Sequence, residues 1–214
     1  MNTRIILVRH GQSEGNARKI ILGHTDRDLT DIGREQARLT AKALADRKID
    51  AVYSSDLMRA YNTVLPIAAS RGLEIIAEPD LREINLGSWE GRAVSDIIEE
   101  YGELFTVEWK YHFGVFCGAP GGESTHELAL RIHGALSRIA EENSGRTVLV
   151  GTHAAAIRAF WARINEIPAE QVDDVLPFPD NGSYSEMDCV DGRFVPISYS
   201  VSDYLSSIAT AIPF

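Results

Sequence analysis

Five residues whose side chains suit phosphoryl chemistry lie after short apolar runs of this 214-residue chain. Arg9 and His10 follow the first run directly, and Arg59, Glu83 and His153 follow later ones. Two guanidinium groups and two imidazole rings match a phosphoryl group, because its oxygens accept forked, charge-assisted hydrogen bonds. A neutral imidazole is a competent nucleophile, and a protonated carboxyl group can protonate a leaving oxygen. The set therefore predicts phosphoryl transfer through a phosphohistidine.

The elements that must position these residues are strands alternating with helices. The apolar run at residues 5–8 predicts a strand buried on both faces, and shorter runs predict strands at 51–53, 73–77 and 148–151. Helical periodicity covers residues 31–46, 57–71, 124–143 and 154–164, and paired strands are predicted at 184–189 and 193–198. This alternation predicts an α/β fold, a three-layer α/β/α sandwich with a mainly parallel central sheet. Because ligands of open α/β sheets bind at the carboxyl ends of the strands, we expect the five residues to meet in one cleft.

Local signals refine this picture. Asp31 is a plausible N-cap of the first long helix, and Gly72 is expected to close the second. Residues 87–122 interrupt the alternation with many aromatic side chains. We therefore expect one domain over residues 1–214, with an insertion at about residues 88–122 that covers the active-site end of the sheet.

Composition excludes several classes of function. With 21 basic and 31 acidic side chains the net charge is −10, which disfavours nucleic acid or an anionic membrane surface as a partner. Cys117 and Cys189 lie too far apart in the sequence for a disulfide framework or a multi-cysteine zinc site. The first apolar run is too short for a signal peptide, and no segment approaches the ~20 apolar residues of a membrane span. We expect a cytoplasmic, soluble protein.

Six collinear segments of the chain share the order of a known sequence pattern. The first, residues 7–16, reads Leu-Val-Arg-His-Gly-Gln-Ser-Glu-Gly-Asn, and the others lie at 29–33, 53–60, 81–91, 120–124 and 150–153. Together they resemble the histidine phosphatase superfamily, in its phosphoglycerate mutase-like branch. An isolated Arg-His-Gly is common by chance, whereas six ordered segments are not.

The resemblance implies a role for each of the five residues. His10 would be the phosphorylated nucleophile. Arg9, Arg59 and His153 would hold the phosphoryl oxygens and stabilise their charge in the transition state. Glu83 would protonate the leaving alcohol and then activate water as a base.

The same resemblance implies further contacts and one departure. Asn16 matches a residue that hydrogen-bonds the phosphate, and Ser13 and Gly23 fall in loops that line the substrate side. No metal and no cofactor are implied, because the arginines supply the positive charge. Many relatives have glycine after the second catalytic histidine, whereas this chain has Ala154. A positive φ angle there would strain the alanine.

Three functions remain open at this stage. The first is a phosphatase that hydrolyses phosphomonoesters of a small metabolite; the second is a cofactor-dependent, phosphoglycerate mutase-type phosphotransfer; the third is a pseudophosphatase that only binds. Mutase relatives carry extra basic residues in the insertion, whereas the only basic residues among positions 92–119 here are Arg92, Lys110 and His112. This scarcity favours the phosphatase. The identity of the substrate stays open, and so does the oligomeric state, a homodimer included.

Overall fold

A six-stranded sheet forms the centre of the computed structural model, which describes residues 2–102, 119 and 121–208. The strands are β1 (Asn2–Arg9), β2 (Ala51–Ser54), β3 (Ile75–Ala77), β4 (Thr147–Thr152), β5 (Tyr184–Val190) and β6 (Arg193–Val201). Their order across the sheet is β3-β2-β4-β1-β5-β6. The pairs β3–β2, β2–β4 and β4–β1 are parallel, and the hairpin partners β5 and β6 pair in antiparallel fashion. The predicted mainly parallel sheet is confirmed.

The register of the central strands brings their carboxyl ends to one level. Arg9 at the end of β1 lies opposite Thr152 at the end of β4. Ser54 at the end of β2 lies opposite Gly151. The residues that follow these strands therefore emerge beside one another, although they come from distant parts of the chain.

Helices cover both faces of the sheet. They are α1 (Glu14–Arg18), α2 (Asp31–Ala43), α3 (Met58–Ala69), α4 (Val94–Tyr101), α5 (Thr125–Glu142), α6 (Ala154–Ile164) and α7 (Val172–Val175). Ile5 and Leu7 of β1 belong to the core shared with α5 and α6, whereas Ile6 and Val8 pack in a second core with α3. Alternate residues of one buried strand thus serve two layers, which confirms the three-layer sandwich. No helix in the described ranges is long and apolar enough to cross a membrane.

The N-cap prediction for α2 is wrong by one residue. Thr30, not Asp31, has the extended backbone of an N-cap, and its hydroxyl oxygen accepts from the Gly33 amide at 3.1 Å. An N-cap residue has a non-helical backbone, and Thr30 is extended whereas the helix has already begun at Asp31. Asp31 instead lies in the first turn, where its charge favours the positive end of the helix.

The insertion is described only at its two ends. A 3₁₀ turn at Gly87–Trp89 is followed by α4, and the ring of Trp89 lies edge to face with Tyr101 at 5.6 Å. The other aromatic side chains of the insertion, with His112 and Cys117, lie outside the described residues. Its placement over the active-site end, and the single domain over the whole chain, therefore stay predictions.

Candidate active site

His10 follows β1 and is buried, with 4% of its surface exposed. Its Nδ1 lies 2.7 Å from the carbonyl oxygen of Gly11. Since a carbonyl oxygen only accepts, the proton of the neutral ring resides on Nδ1, and Nε2 keeps an unshared electron pair. The backbone around the ring is also fixed, because the side-chain amide of Asn181 donates to the His10 carbonyl and the backbone amide of Gly11 donates to the Thr63 hydroxyl.

His153 follows β4 and is the N-cap residue of α6. Its ring lies 5.2 Å from that of His10 between centroids, with the planes at 63°. Nε2 lies 2.9 Å from the hydroxyl oxygen of Ser55. Nδ1 is buried and has no hydrogen-bond partner among the described residues. A buried polar atom in this position is costly unless a ligand satisfies it.

Two arginines lie beside the histidines, and both are buried. Arg59 donates to the carbonyl oxygens of Thr25 at 3.1 Å and Gly23 at 2.7 Å. Arg9 donates through Nη1 to the Pro179 carbonyl, and its Nε has no partner among the described residues. Within those residues neither guanidinium forms an ion pair with a carboxylate. Two buried cations without a carboxylate at ion-pair distance make the pocket suited to an anion.

Burial dominates the electrostatics of all four groups. It lowers the pKa of Arg9 and of Arg59 to about 10, so both stay charged at neutral pH. Burial, followed by the charges of Arg59 and Arg9, lowers the pKa of His10 well below its usual value. Burial and Arg59 likewise lower the pKa of His153. Both imidazoles are therefore neutral at pH 7, the form a nucleophile requires.

Glu83 reaches the same place from the loop after β3. Its carboxylate accepts hydrogen bonds from the amides of Ile84 at 3.0 Å, Ala155 at 3.3 Å and Ala156 at 3.1 Å. The last two amides belong to the first turn of α6, directly after His153. The amino terminus of this helix thus holds the carboxylate close to the second histidine.

Ala154 fits the helix without strain. It is the first residue of α6, and it is not among the described non-glycine residues with a positive φ angle. The backbone turn after His153 therefore survives the replacement of glycine by alanine.

Asn16 and Ser13 form a reciprocal cap at the start of α1. The Asn16 side-chain oxygen accepts from the backbone amide and the hydroxyl of Ser13, each at 3.0 Å, and from the side-chain amide of Asn181 at 3.3 Å. With its oxygen so occupied, the side-chain NH₂ of Asn16 is the end left to donate to a ligand. Ser13 is fully buried and its hydroxyl is used within the cap. It therefore positions Asn16, and its predicted place on the substrate side stays a prediction.

Gly23 serves the site through its backbone. Its carbonyl oxygen accepts from Arg59, and its φ angle is +52°. A Cβ atom there would lie 2.2 Å from a carboxylate oxygen of Glu90. That carboxylate accepts from the amides of His24 and Thr25, each at 2.9 Å. The loop that fixes Arg59 therefore needs glycine at this position.

For several residues around the site, the sequence indicated no specific catalytic or binding contact. Nε2 of His24 and Nη2 of Arg131 lie 2.9 and 3.1 Å from the Glu83 carbonyl oxygen. Ser55 contacts His153, and Asn181 contacts both His10 and Asn16. Ser55 lies within the segment at residues 53–60 that carries the resemblance, and this was its only signal in the sequence. Nothing in the pattern around Arg131 indicates a contact with a residue 48 positions away.

The cations that the structure places beside His10 are Arg9 and Arg59. In the part of the chain that the structure describes, no three His, Cys, Asp or Glu side chains are grouped so that they could hold a metal ion. That no metal is needed stays a prediction, which the experiments below test.

Comparisons with known proteins identify the family of the chain. The sequence pattern of the histidine phosphatase superfamily (branch 1) matches residues 5–201. "Phosphoserine phosphatase 1" of Hydrogenobacter thermophilus is 33% identical over 208 residues, which cover 94% of each chain. "Phosphoglycerate mutase-like protein 4" of Arabidopsis thaliana is 37% identical over 174 residues, 80% of this chain and 75% of that protein. The solved structure of Bacillus stearothermophilus YhfR superposes with a TM-score of 0.88 at 26% identity, covering 95% and 99% of the two chains.

The chain belongs to the histidine phosphatase superfamily. The resemblance predicted from the sequence is thereby confirmed, and the names of the relatives support the predicted metabolite phosphatase while leaving mutase-type transfer open. The roles of the individual residues remain a proposal.

Proposed function

We propose that this enzyme hydrolyses small phosphomonoesters through a phosphohistidine at Nε2 of His10. The observation that carries the proposal is the hydrogen bond from Nδ1 to the Gly11 carbonyl, which leaves the unshared pair on Nε2. The ring is neutral and lies beside two buried arginines that have no carboxylate at ion-pair distance among the described residues. A dianionic phosphate would supply the negative counter-charge for these two guanidinium groups.

In the first half-reaction, Nε2 of His10 forms a bond to phosphorus as the ester P–O bond breaks. Arg9 and Arg59 stabilise the charge on the phosphoryl oxygens. If Ser55 donates to Nε2 of His153, the His153 proton resides on Nδ1, and this buried atom donates to a phosphoryl oxygen. Glu83 gives its proton to the leaving alkoxide, which departs as the alcohol.

In the second half-reaction, water attacks the phosphohistidine. The Glu83 carboxylate takes a proton from the water, the new P–O bond forms, and the N–P bond breaks. The electron pair of that bond returns to Nε2, inorganic phosphate leaves, and the site is restored. No step requires a metal ion, because the arginines neutralise the developing charge.

We propose phosphoserine and similarly small, anionic phosphate esters as the first substrates to test. The relative named phosphoserine phosphatase aligns over 94% of both chains. The mutase-like relative aligns over a smaller share, 80% of this chain.

Mutase-type transfer is the second candidate, favoured by the 37% identity to that relative. The three basic residues in 92–119 remain a poor match for a highly anionic sugar acid. ³¹P NMR of the enzyme with 3-phosphoglycerate separates the two reactions. Hydrolysis produces inorganic phosphate, whereas a mutase produces 2-phosphoglycerate with little free phosphate.

The proposal is tested by hydrolysis of p-nitrophenyl phosphate and phosphoserine between pH 5 and 8, with EDTA present. We expect turnover by the wild type, none by His10→Ala, and unchanged turnover by His126→Ala, which removes an exposed histidine. Activity retained by His10→Ala would contradict the role of His10. Inhibition by EDTA that a divalent metal reverses would contradict the metal-free mechanism.

A further inference from the structure

Arg131 projects from α5 onto the loop that carries Glu83. Its Nη1 donates to the carbonyl oxygens of Asp80 at 2.8 Å and Arg82 at 3.0 Å. Its Nη2 donates to the carbonyl oxygen of Glu83 itself at 3.1 Å. One guanidinium therefore binds three backbone carbonyls within four residues of a single loop.

Glu123 completes this contact. Its carboxylate accepts from Nε of Arg131 at 2.8 Å and from Nη2 at 2.7 Å, and the two side chains are only 15% and 19% exposed. The backbone amide of Glu123 also donates to the Asn85 carbonyl at 2.7 Å, and the Glu123 carboxylate accepts from the Asn85 amide at 3.2 Å. The Arg131–Glu123 pair thus holds the chain on both sides of Glu83.

The carboxylate of Glu83 is bound by a different element, the first turn of α6. The amides of Ala155 and Ala156 hold it, as described above, and His24 donates to the same backbone carbonyl as Arg131 at 2.9 Å. Two side chains therefore bind the backbone carbonyl of Glu83, and two backbone amides of α6 bind its carboxylate. A small shift of the loop would move the carboxyl group off the helix terminus.

We propose that Arg131, together with Glu123, is a positioning pair that places the Glu83 carboxyl group within proton-transfer distance of the leaving oxygen. This inference rests on the proposed function. Proton transfer requires heavy atoms about 2.6–3.2 Å apart, and a displacement of 1 Å costs on the order of 10²-fold in rate. A side chain that never touches substrate thereby controls the acid step.

The leaving group distinguishes this role from a merely structural one. p-Nitrophenolate departs without a proton, whereas the alkoxide of benzyl phosphate needs one. kcat/KM reports the steps up to departure of the alcohol, so water activation in the second half-reaction does not affect it. We expect Arg131→Lys to lower kcat/KM for benzyl phosphate about tenfold or more, and for p-nitrophenyl phosphate by less than about threefold.

Arg138 provides the matched control. It lies seven residues further along α5 and also reaches the Glu83 loop, but it binds the Asp80 side chain at 2.7 Å and is half exposed. Arg138→Gln should leave both kcat/KM values unchanged. Inhibition by inorganic phosphate should also be unchanged in Arg131→Lys, because Arg9, Arg59 and His153 are untouched.

Glu123→Gln keeps the shape of the pair and serves if Arg131→Lys does not fold, as judged by circular dichroism and thermal unfolding. It should show the same selective loss. Equal losses on both substrates, or no loss on either, in a folded variant would overturn the positioning role. Failure of the proposed function looks different: the wild type itself would then hydrolyse neither ester, or His10→Ala would remain active.

Discussion

The imidazole rings of His10 and His153 lie edge to face with their centroids 5.2 Å apart. They come from parts of the sequence more than 140 residues apart and meet because β1 and β4 are parallel neighbours whose last residues, Arg9 and Thr152, are paired. Sheet register therefore fixes the spacing of the two rings. Their shared burial also makes both of them neutral at pH 7.

This burial predicts how the free energy of unfolding depends on pH. Burial lowers the pKa of both histidines in the folded protein, while the unfolded chain titrates near its usual value of about 6.5. At pH values between the lowered folded-state pKa and about 6.5, the unfolded chain binds more protons than the folded protein. The free energy of unfolding therefore falls as the pH decreases below about 6.5, and the histidines leave it level above about pH 7. Each histidine contributes as much as about 1.4 kcal/mol per pH unit in that window.

Urea denaturation at pH 7.5 and 5.5 measures this dependence. His10→Asn should reduce the loss of stability between the two pH values, whereas His126→Asn, which removes an exposed histidine, should leave it as in the wild type. A wild-type protein as stable at pH 5.5 as at 7.5 would contradict the neutral, buried histidines.

Replacement of Arg59 by alanine should remove about 2–4 kcal/mol of transition-state stabilisation, as for loss of one oxyanion donor. The forked group also fixes the Gly23 and Thr25 carbonyls, so Arg59→Lys should recover only part of the rate. Arg38→Ala on the adjacent helix removes an exposed arginine paired with Glu35 and should have no effect on kcat/KM. An unchanged kcat/KM in Arg59→Ala would remove Arg59 from the site.

Asn16→Asp tests the orientation of the Asn16 amide. The carboxylate retains an acceptor for Ser13 and Asn181, so α1 should stay capped. It loses the donor we assign to the phosphate and adds a negative charge beside it. Inhibition by inorganic phosphate should weaken about tenfold or more, with little change in thermal stability. Unaltered phosphate inhibition would show that the Asn16 amide does not bind the phosphate.

Gly23→Ala and Gly72→Ala separate two causes of strain. Both glycines have a positive φ angle, +52° and +64°, so each alanine costs on the order of 1 kcal/mol in backbone strain. Only at Gly23 would the Cβ atom collide with Glu90, since nothing lies within 4 Å at Gly72. Gly23→Ala should lose activity as well as stability, and Gly72→Ala stability alone. Equal activity of the two variants would contradict the role of the Gly23 loop.

Much of the fold follows from local patterns. The apolar run at 5–8 predicted the middle of β1, and helical periodicity predicted α6 at Ala154–Ile164 to the residue. The strand order could not be predicted in this way, because the β1–β4 pairing joins segments that no local pattern connects. The N-cap of α2 was misplaced because Thr30 and Asp31 are both good capping residues, and only the backbone conformation distinguishes them.

The site divides in the same manner. Arg9 ends a strand, and His10, Arg59, Glu83 and His153 each follow one, so their convergence could be predicted. Side chains that bind the backbone could not be predicted. Arg131 and His24 bind the carbonyl of Glu83. Because every residue has a carbonyl, the residue types do not indicate which carbonyl a side chain binds.

The measurement that tests the central claim most directly is to trap the phosphoenzyme. Wild type and His10→Ala would be mixed with p-nitrophenyl phosphate, quenched in alkali within milliseconds and digested, and the phosphorylated peptides identified by mass spectrometry. We expect an acid-labile, alkali-stable phosphate on His10 in the wild type and no phosphopeptide in the variant. Turnover without any phosphohistidine, or phosphate on another residue such as His153, would contradict the mechanism.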